Sequence, residues 1–298
     1  MLLRHPSKLP RPRMGQKQLP APVGGLNLRD GLAMMKGKDA LILDNWIPES
    51  SYLEQRRGYT SHVTGLGSTP KTLMDWSGPT GMQLYAATST AIYNVTAQGA
   101  VGAAVQTGLN SGEWSFVNFT TAGGHFLVIA NGVDAVRNYN GTAWTTPAIT
   151  GVSPSSLKAV HSHKARLWYL EANSTKVWYG EPQSIAGPHT AIQVGEQLSM
   201  GGHLVAIGSV SRDGGKGGSD DLLVMISSRG QVVVYEGDDP TSANTWQRLG
   251  VFYASPPVGG KCLVQIGGDL GILTESGLLS TRQLLMTDQS SAERTAIT

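Results

Sequence analysis

One phrase returns five times along this chain with different letters: LYAATSTAIYNV at Leu84–Val95, LVIANGVDAVRNYNG at Leu127–Gly141, LWYLEANSTKVWYGE at Leu167–Glu181, LLVMISSRGQVVVYEGD at Leu222–Asp238 and a worn copy, LGILTESGLLSTRQL, at Leu270–Leu284. Each copy is a short apolar strand, a polar turn built on Ser, Thr, Asn or Gly, and a second strand that usually ends near a tyrosine. One supersecondary unit recurring at such a period predicts stacked β-units, of which propeller blades are the commonest form. The 38 glycines carry no collagen-like period and read as turns, bulges and loop tips between many short strands. The expected fold is all-β, with β-propeller-like repeats of about five blades. Five blades could close only if the ring ends pair or if residues 46–66 lend a strand; the sequence leaves both open.

The segments between the copies add detail. Trp114–Thr120 alternates as an outer strand of the second copy, and Asn140-Gly141 marks a tight turn. RDGGKGGSDD at Arg212–Asp221 reads as a hairpin loop joining Leu204–Val210 to Leu222–Ser227. Asp39–Asn45 is either one helical turn or the start of a strand, and Ala292–Ile297 fits a helical turn. The expected organisation is an arm over 1–23, a platform or docking segment over 24–70, a propeller-like domain over 71–285 and a tail over 286–298.

Charge is unevenly placed. Residues 1–29 hold Arg4, Lys8, Arg11, Arg13, Lys17 and Arg29 and no acid, whereas the whole chain has 23 Lys+Arg and 21 Asp+Glu. Four prolines by Pro20 keep the segment extended. It reads as a cationic arm that orders on an acidic partner or nucleic acid. The N-terminus lacks the apolar centre of a secretory signal, and no stretch is apolar enough to span a bilayer as a helix.

Chemistry is harder to find. The single cysteine, Cys262, excludes an intrachain disulfide and reads as a small core residue. His161 and His163 form an H-x-H pair on one strand face, where two imidazoles could meet a metal, but no third ligand lies nearby; two half-exposed histidines beside Lys164 and Arg166 is the plainer reading. Asp134, Glu171, Glu181, Asp220, Asp221 and Asp238 sit at turns after strands, where solvation explains them without the spaced acid pair of a glycosidase. Lys216 is followed by glycine and then by a strand, so RDGGKGGSDD is not a phosphate loop. The seven tryptophans read as packing between blades, with a sugar-stacking platform as the alternative. No catalytic residue, metal or cofactor is expected.

The block GGLNLRDGLAMMKGKDALILDNWIPESSYLEQRRGYTSHVTGL at 24–66 resembles the opening of tail nozzle, or hub, proteins of short-tailed bacteriophages. Three motifs carry the resemblance: G-G-L/I-N-x-R-D at Gly24, Gly25, Leu26, Asn27, Arg29 and Asp30; D-N-W/F-x-P at Asp44, Asn45, Trp46 and Pro48; and L-x-x-R-x-G-Y/F at Leu53, Arg56, Gly58 and Tyr59. The repeats that follow resemble the family's propeller, and the C-terminal segment resembles the stretch that leaves it. The resemblance implies a structural protein of the virion tail, assembled in the host cytoplasm as a ring of about six copies. Its implied partners are the head-to-tail adaptor ring, tail fibres or spikes, and double-stranded DNA passing non-specifically through the channel, with no membrane insertion by this chain. The residues implied to dock ring and adaptor are Arg4, Lys8, Arg11, Arg13, Lys17, Gly24, Gly25, Asn27, Arg29, Asp30, Asp44, Trp46 and Arg56. Family members usually continue past the propeller, so this chain is expected to be a minimal nozzle or to be completed by another polypeptide. Outside the resemblance, a carbohydrate-binding propeller (an adhesin or lectin) is the alternative, and a propeller glycosidase a weaker one.

Overall fold

The computed structural model describes residues 19–212 and 220–286. The chain divides into two compact units between Ser61 and His62. The second unit is a five-bladed β-propeller. Blade one comprises Thr72–Gly78, Gly81–Ala87, Ala91–Asn94 and Gln106–Thr107; blade two, Ser115–Thr121, Gly124–Ala130, Arg137–Tyr139 and Trp144–Thr145. Blade three comprises Leu157–His163, Arg166–Glu171, Lys176–Tyr179 and Thr190–Gln193; blade four, Leu204–Arg212, Asp220–Ser227, Gln231–Gly237 and Trp246–Tyr253. Blade five has three strands, Leu263–Ile266, Asp269–Thr274 and Gly277–Ser280. Every pairing inside a blade is antiparallel.

The repeated phrase is the second and third strand of each blade. Its polar letter does the same work in most copies: the side chain folds back to close the turn. Asn131 Oδ1 accepts the backbone N–H of Val133 and Asp134, Ser227 Oγ accepts those of Arg229 and Gln231, and Thr274 Oγ1 accepts that of Ser276. Thr88 Oγ1 donates instead to the Ala91 carbonyl. All four are buried, so a turn that closed on water in an isolated hairpin closes on its own side chain here.

The near-continuous apolar runs follow from burial on both faces. On the strand Asp220–Ser227, Leu223 and Met225 enter the cluster shared with blade three, whereas Leu222, Val224 and Ile226 enter the cluster shared with blade five. Met74, Trp76 and Tyr85 meet Trp114, Leu127 and Ile129 between blades one and two; Phe119, Val128 and Val136 meet Leu157, Leu167 and Tyr169 between blades two and three. Each fully buried side chain of this size contributes roughly 1.5–3 kcal/mol. The tyrosines that end the phrase join these seams edge-on or stacked: Tyr139 on Trp76 at 5.6 Å, and Tyr235 on Trp246 at 5.3 Å.

Three expectations change. Ser115–Thr121 is not an outer strand: its first residues line the propeller axis, and the order from axis to rim is Ser115–Thr121, Gly124–Ala130, Arg137–Tyr139, Trp144–Thr145. Residues 46–66 add no strand to a blade sheet: Trp46–Pro48 pairs with Leu53–Gln55 as a hairpin of its own, and Val63–Thr64 pairs in parallel with Gly99–Ala100 as a separate two-stranded sheet. The worn fifth copy does not end as a strand, because Thr281–Met286 is a helix, α1, anchored by Thr281 Oγ1 donating to the Leu270 carbonyl and by Leu284 in the cluster between blades four and five. Asp39–Asn45 resolves as the start of a strand, with Asp39–Ala40 pairing in parallel with Gly25–Leu26. The strands on either side of RDGGKGGSDD pair as a hairpin; residues 213–219 of it lie outside the described residues, as does Ala292–Ile297.

Candidate functional site

The motif block forms the first unit, and its turns are built around Asn27. Asn27 Oδ1 accepts the backbone N–H of Arg29 and of Asp30, both at 3.1 Å, while its Nδ2 donates to Asp30 at 3.0 Å and to Asp39 at 2.9 Å. One amide thus folds the G-G-L-N-x-R-D segment onto the strand at Asp39. Gly24 is needed at that crossing: a Cβ there would collide with the Asp39 carboxylate and sit 2.9 Å from the Lys38 carbonyl. Gly25 has φ +86°, a conformation that glycine adopts without strain. Asn45, in D-N-W-x-P, has φ +63°, and asparagine is among the few other residues that tolerate it. It sets the chain into the Trp46–Pro48 strand, and its carbonyl accepts the Arg56 N–H at 2.7 Å.

The two motif aspartates behave differently from what turn chemistry predicts. Asp30 accepts the Asn27 side-chain amide rather than a backbone N–H, and Asp44 is exposed. The backbone-capping role belongs to Asn27. Arg29 and Arg56 are exposed and form no ion pair among the described residues. Arg4, Lys8, Arg11, Arg13 and Lys17 lie outside the described residues.

This unit has almost no core. Among residues 19–61 only Gly25 and Ala40 are buried. Leu28, Leu32, Met34, Ile42, Trp46 and Ile47 are exposed, Trp46 at 47%. A segment of this size buries little apolar surface of its own.

In the propeller, the first strands of all five blades surround a cavity of about 430 Å³ on the axis. Its polar wall includes Lys71, Thr72, Ser115, His161 and Lys261. Lys261 Nζ donates to Thr72 Oγ1 at 2.9 Å and lies 3.1 Å from Glu113 Oε2. Apart from His161, these residues were missed in the sequence; their one signal is a polar letter at or just before the first strand of a blade.

His161 and His163 do face one way, but they meet a serine. His161 Nε2 lies 2.9 Å and His163 Nδ1 2.8 Å from Ser209 Oγ on blade four. One hydroxyl proton serves one ring, so the other ring must donate its own N–H. Burial holds both imidazoles neutral, at about 4 each; for His163 the nearby His161 and Lys164 add to this, against Asp221 and Asp238. The pair is therefore not half-exposed at His163, which is 3% exposed, and Arg166 is buried beneath it, bonded to the Gly180 carbonyl and Asp239. Among the described residues no group of three or more His, Cys, Asp or Glu gathers as a metal site.

Some of the turn carboxylates are more than solvated, whereas Glu181 and Asp238 stay largely exposed. Asp134 accepts from Asn131 Nδ2, Asn110 Nδ2 and the backbone N–H groups of Asn110 and Ser111. Burial alone would raise its pKa, but these bonds outweigh it and hold the carboxyl below the usual range. Glu171 accepts the Trp178 indole at 3.2 Å, Asp221 the Ser211 hydroxyl at 2.7 Å, and Asp238 pairs with Lys164 at 3.3 Å. Of the seven tryptophans only Trp46 is exposed; Trp76, Trp114 and Trp168 are fully buried and Trp144, Trp178 and Trp246 partly so.

No protein-family model matches the chain, and no curated protein does. Two solved structures similar in part are of the BBS1N chain in complex with ARL6DN, one soaked with mercury and one with lead. The first is 14% identical, covers 80% of this chain and 84% of that chain, and superposes with a TM-score of 0.40. The second is 16% identical, covers 72% and 78%, and has a TM-score of 0.39. Likeness at that level carries no functional argument; the blade assignment rests on the sheets described above.

Proposed function

We propose that this chain is a subunit of a ring-shaped tail nozzle or hub in a short-tailed bacteriophage, extending the portal–adaptor channel, retaining packaged DNA and mounting fibres or spikes. The observation that carries the reading is the first unit: the residues that resemble the nozzle opening fold into turns around Asn27 and leave Trp46, Ile47, Leu28 and Ile42 uncovered. Such a unit gains its stability by packing on a neighbour, and identical neighbours joined by one head-to-tail interface make a ring. The propeller supplies a stiff wall whose strands mostly pair within blades. Residues 30–298 carry 23 − 6 = 17 basic against 21 acidic side chains, a formal −4, which repels DNA rather than gripping it. In this reading the chain performs no chemistry, and the turn carboxylates hold strands together.

Native mass measurement tests the proposal. The full chain is expected to form a ring of about six copies, the number that the nozzle resemblance implies. Trp46→Ala should weaken the ring by about 2–4 kcal/mol, as for an interface anchor, with the far-ultraviolet spectrum unchanged. A wild-type chain that stays monomeric at high concentration and binds a glycan column would sink the hub in favour of a lectin.

A further inference from the structure

Four seams of the propeller are sealed by apolar clusters; the fifth is not. The clusters between blades one and two, two and three, three and four, and four and five each draw large side chains from both sides. Among the described residues none of them joins blade five to blade one; Lys261 instead makes polar contacts with Thr72 on blade one and with Glu113 in the segment that enters blade two. The two faces that flank this seam nonetheless carry uncovered apolar side chains beside polar ones such as Asp75 and Ser77. On blade one, Met74 and Trp76 turn toward blade two, so Leu73 and Met82 lie on the opposite face; they are 57% and 66% exposed. On blade five, Leu270 and Ile272 turn toward blade four, so Val264, Ile266, Leu273 and Leu278 share the other face. Val264 and Ile266 are 48% exposed and Leu273 is 44% exposed. Gly271 sits between them, and a Cβ there would stand 3.0 Å from the ends of Ile266 and Leu278, so that face is already close-set.

Among the described residues, blade five also has one strand fewer than the other four. Its outer strand, Gly277–Ser280, pairs on one side with Asp269–Thr274 and with no strand on the other among the described residues. The complete blades show what the missing strand contributes. Trp144, Ile192, Trp246, Val251 and Phe252 all come from fourth strands, and all pack into seam clusters. In blade five the chain turns instead into α1, whose Leu284 goes to the seam with blade four.

We propose that the free edge at Gly277–Ser280, beside the seam between blades five and one, takes an extended strand from a partner polypeptide, paired antiparallel to Gly277–Ser280, with apolar side chains at alternate positions laid on the face of Leu278 and Leu273. Main-chain hydrogen bonds along the edge supply affinity, and the alternate side chains supply selection. The occupant is a strand, because a strand closes the equivalent place in each of the other four blades.

The probe is a synthetic peptide copying Trp246–Tyr253, the fourth strand of blade four, with a fluorophore and a charged solubilising tail. Full-length protein should bind it saturably, and amide exchange at Gly277–Ser280 should slow on binding. Leu273→Lys places a charge at an exposed position; it should keep the thermal midpoint and weaken binding about tenfold or more, as a charge set into an apolar contact does. Three results would overturn the proposal: no binding, binding that leaves exchange at Gly277–Ser280 unchanged, or equal binding by Leu273→Lys. Protection of Gly277–Ser280 that rises with protein concentration before peptide is added would also overturn it, by placing a second copy in the seam. Any of these would leave the tail-hub reading standing, since that rests on residues 24–59.

Discussion

Replacing Asp134 by alanine should cost the propeller about 2–4 kcal/mol, and the figure can be built from the donors that surround it. The carboxylate is 7% exposed and ties the segment leaving blade one, at Asn110 and Ser111, to the turn of blade two at Asn131. Truncation takes the 2.8 Å acceptor from one N–H of the buried Asn131 Nδ2, which keeps only the Ser111 carbonyl at 3.4 Å. An orphaned buried donor costs about 1–3 kcal/mol. Asn110 is exposed and Ser111 half-buried, so water recovers part of what their N–H groups lose. The net loss of charge-assisted bonds adds roughly another 1 kcal/mol. For a domain of this size a loss of 3 kcal/mol lowers the melting midpoint by about 6–12 °C. The sign with pH is fixed as well. The folded pKa lies below the unfolded value, so this stabilisation is present above about pH 4 and is lost as pH falls through the folded value. Thermal unfolding followed by circular dichroism reads both effects, with Asp134→Asn as the variant that removes the acid dependence while keeping the shape. A midpoint within about 1 °C of wild type for Asp134→Ala, well below what the orphaned donor demands, would refute the reasoning.

The histidine pair gives a second pH limb at higher pH. His161 and His163 are neutral when folded, at about 4, against about 6.5 unfolded, so the unfolded chain binds more protons and stability should fall steadily from about pH 6.5 to about pH 4. Denaturant midpoints across that window should decline in the wild type and decline less in His161→Gln/His163→Gln; parallel curves would mean the rings already find water. Gly141→Ala should cost about 1–3 kcal/mol by chemical denaturation, since φ is +96° and the new Cβ would stand 2.6 Å from the buried Trp76 ring. Gly81→Ala, at φ +118° with open space around it, isolates the backbone part, about 1 kcal/mol; equal losses at the two sites would show that Trp76 yields freely.

Much of the propeller was legible because four of its five blades repeat a local device. The buried turn letters Thr88, Asn131, Ser227 and Thr274 sit at one point of the phrase, and apolar runs such as Leu222–Ile226 announce burial on both faces. Radial order was not legible. Alternation in Ser115–Thr121 says which residues share a face but not whether the strand lies at the axis or the rim. α1 is six residues, too short to show a helical period. Asp134 misled because its partner is distant in sequence: it reaches Asn110 across 24 positions, so a turn position that looks solvated is a bridge between blades. In the motif block the residue types pointed to turns, yet which residue caps the backbone depended on the fold. Asn27 reaches its neighbours' N–H groups and Asp39 twelve positions away, leaving Asp44 exposed.

The central claim, that the chain is part of a phage tail hub, is tested most directly by locating it in the particle. Antibody raised against the propeller and carried on gold should label short-tailed virions at the tail vertex alone, and particles assembled without the chain should leave that vertex unlabelled and lose their DNA. Label spread over the capsid shell, or found only on fibre tips with DNA retention intact when the chain is missing, would contradict the account.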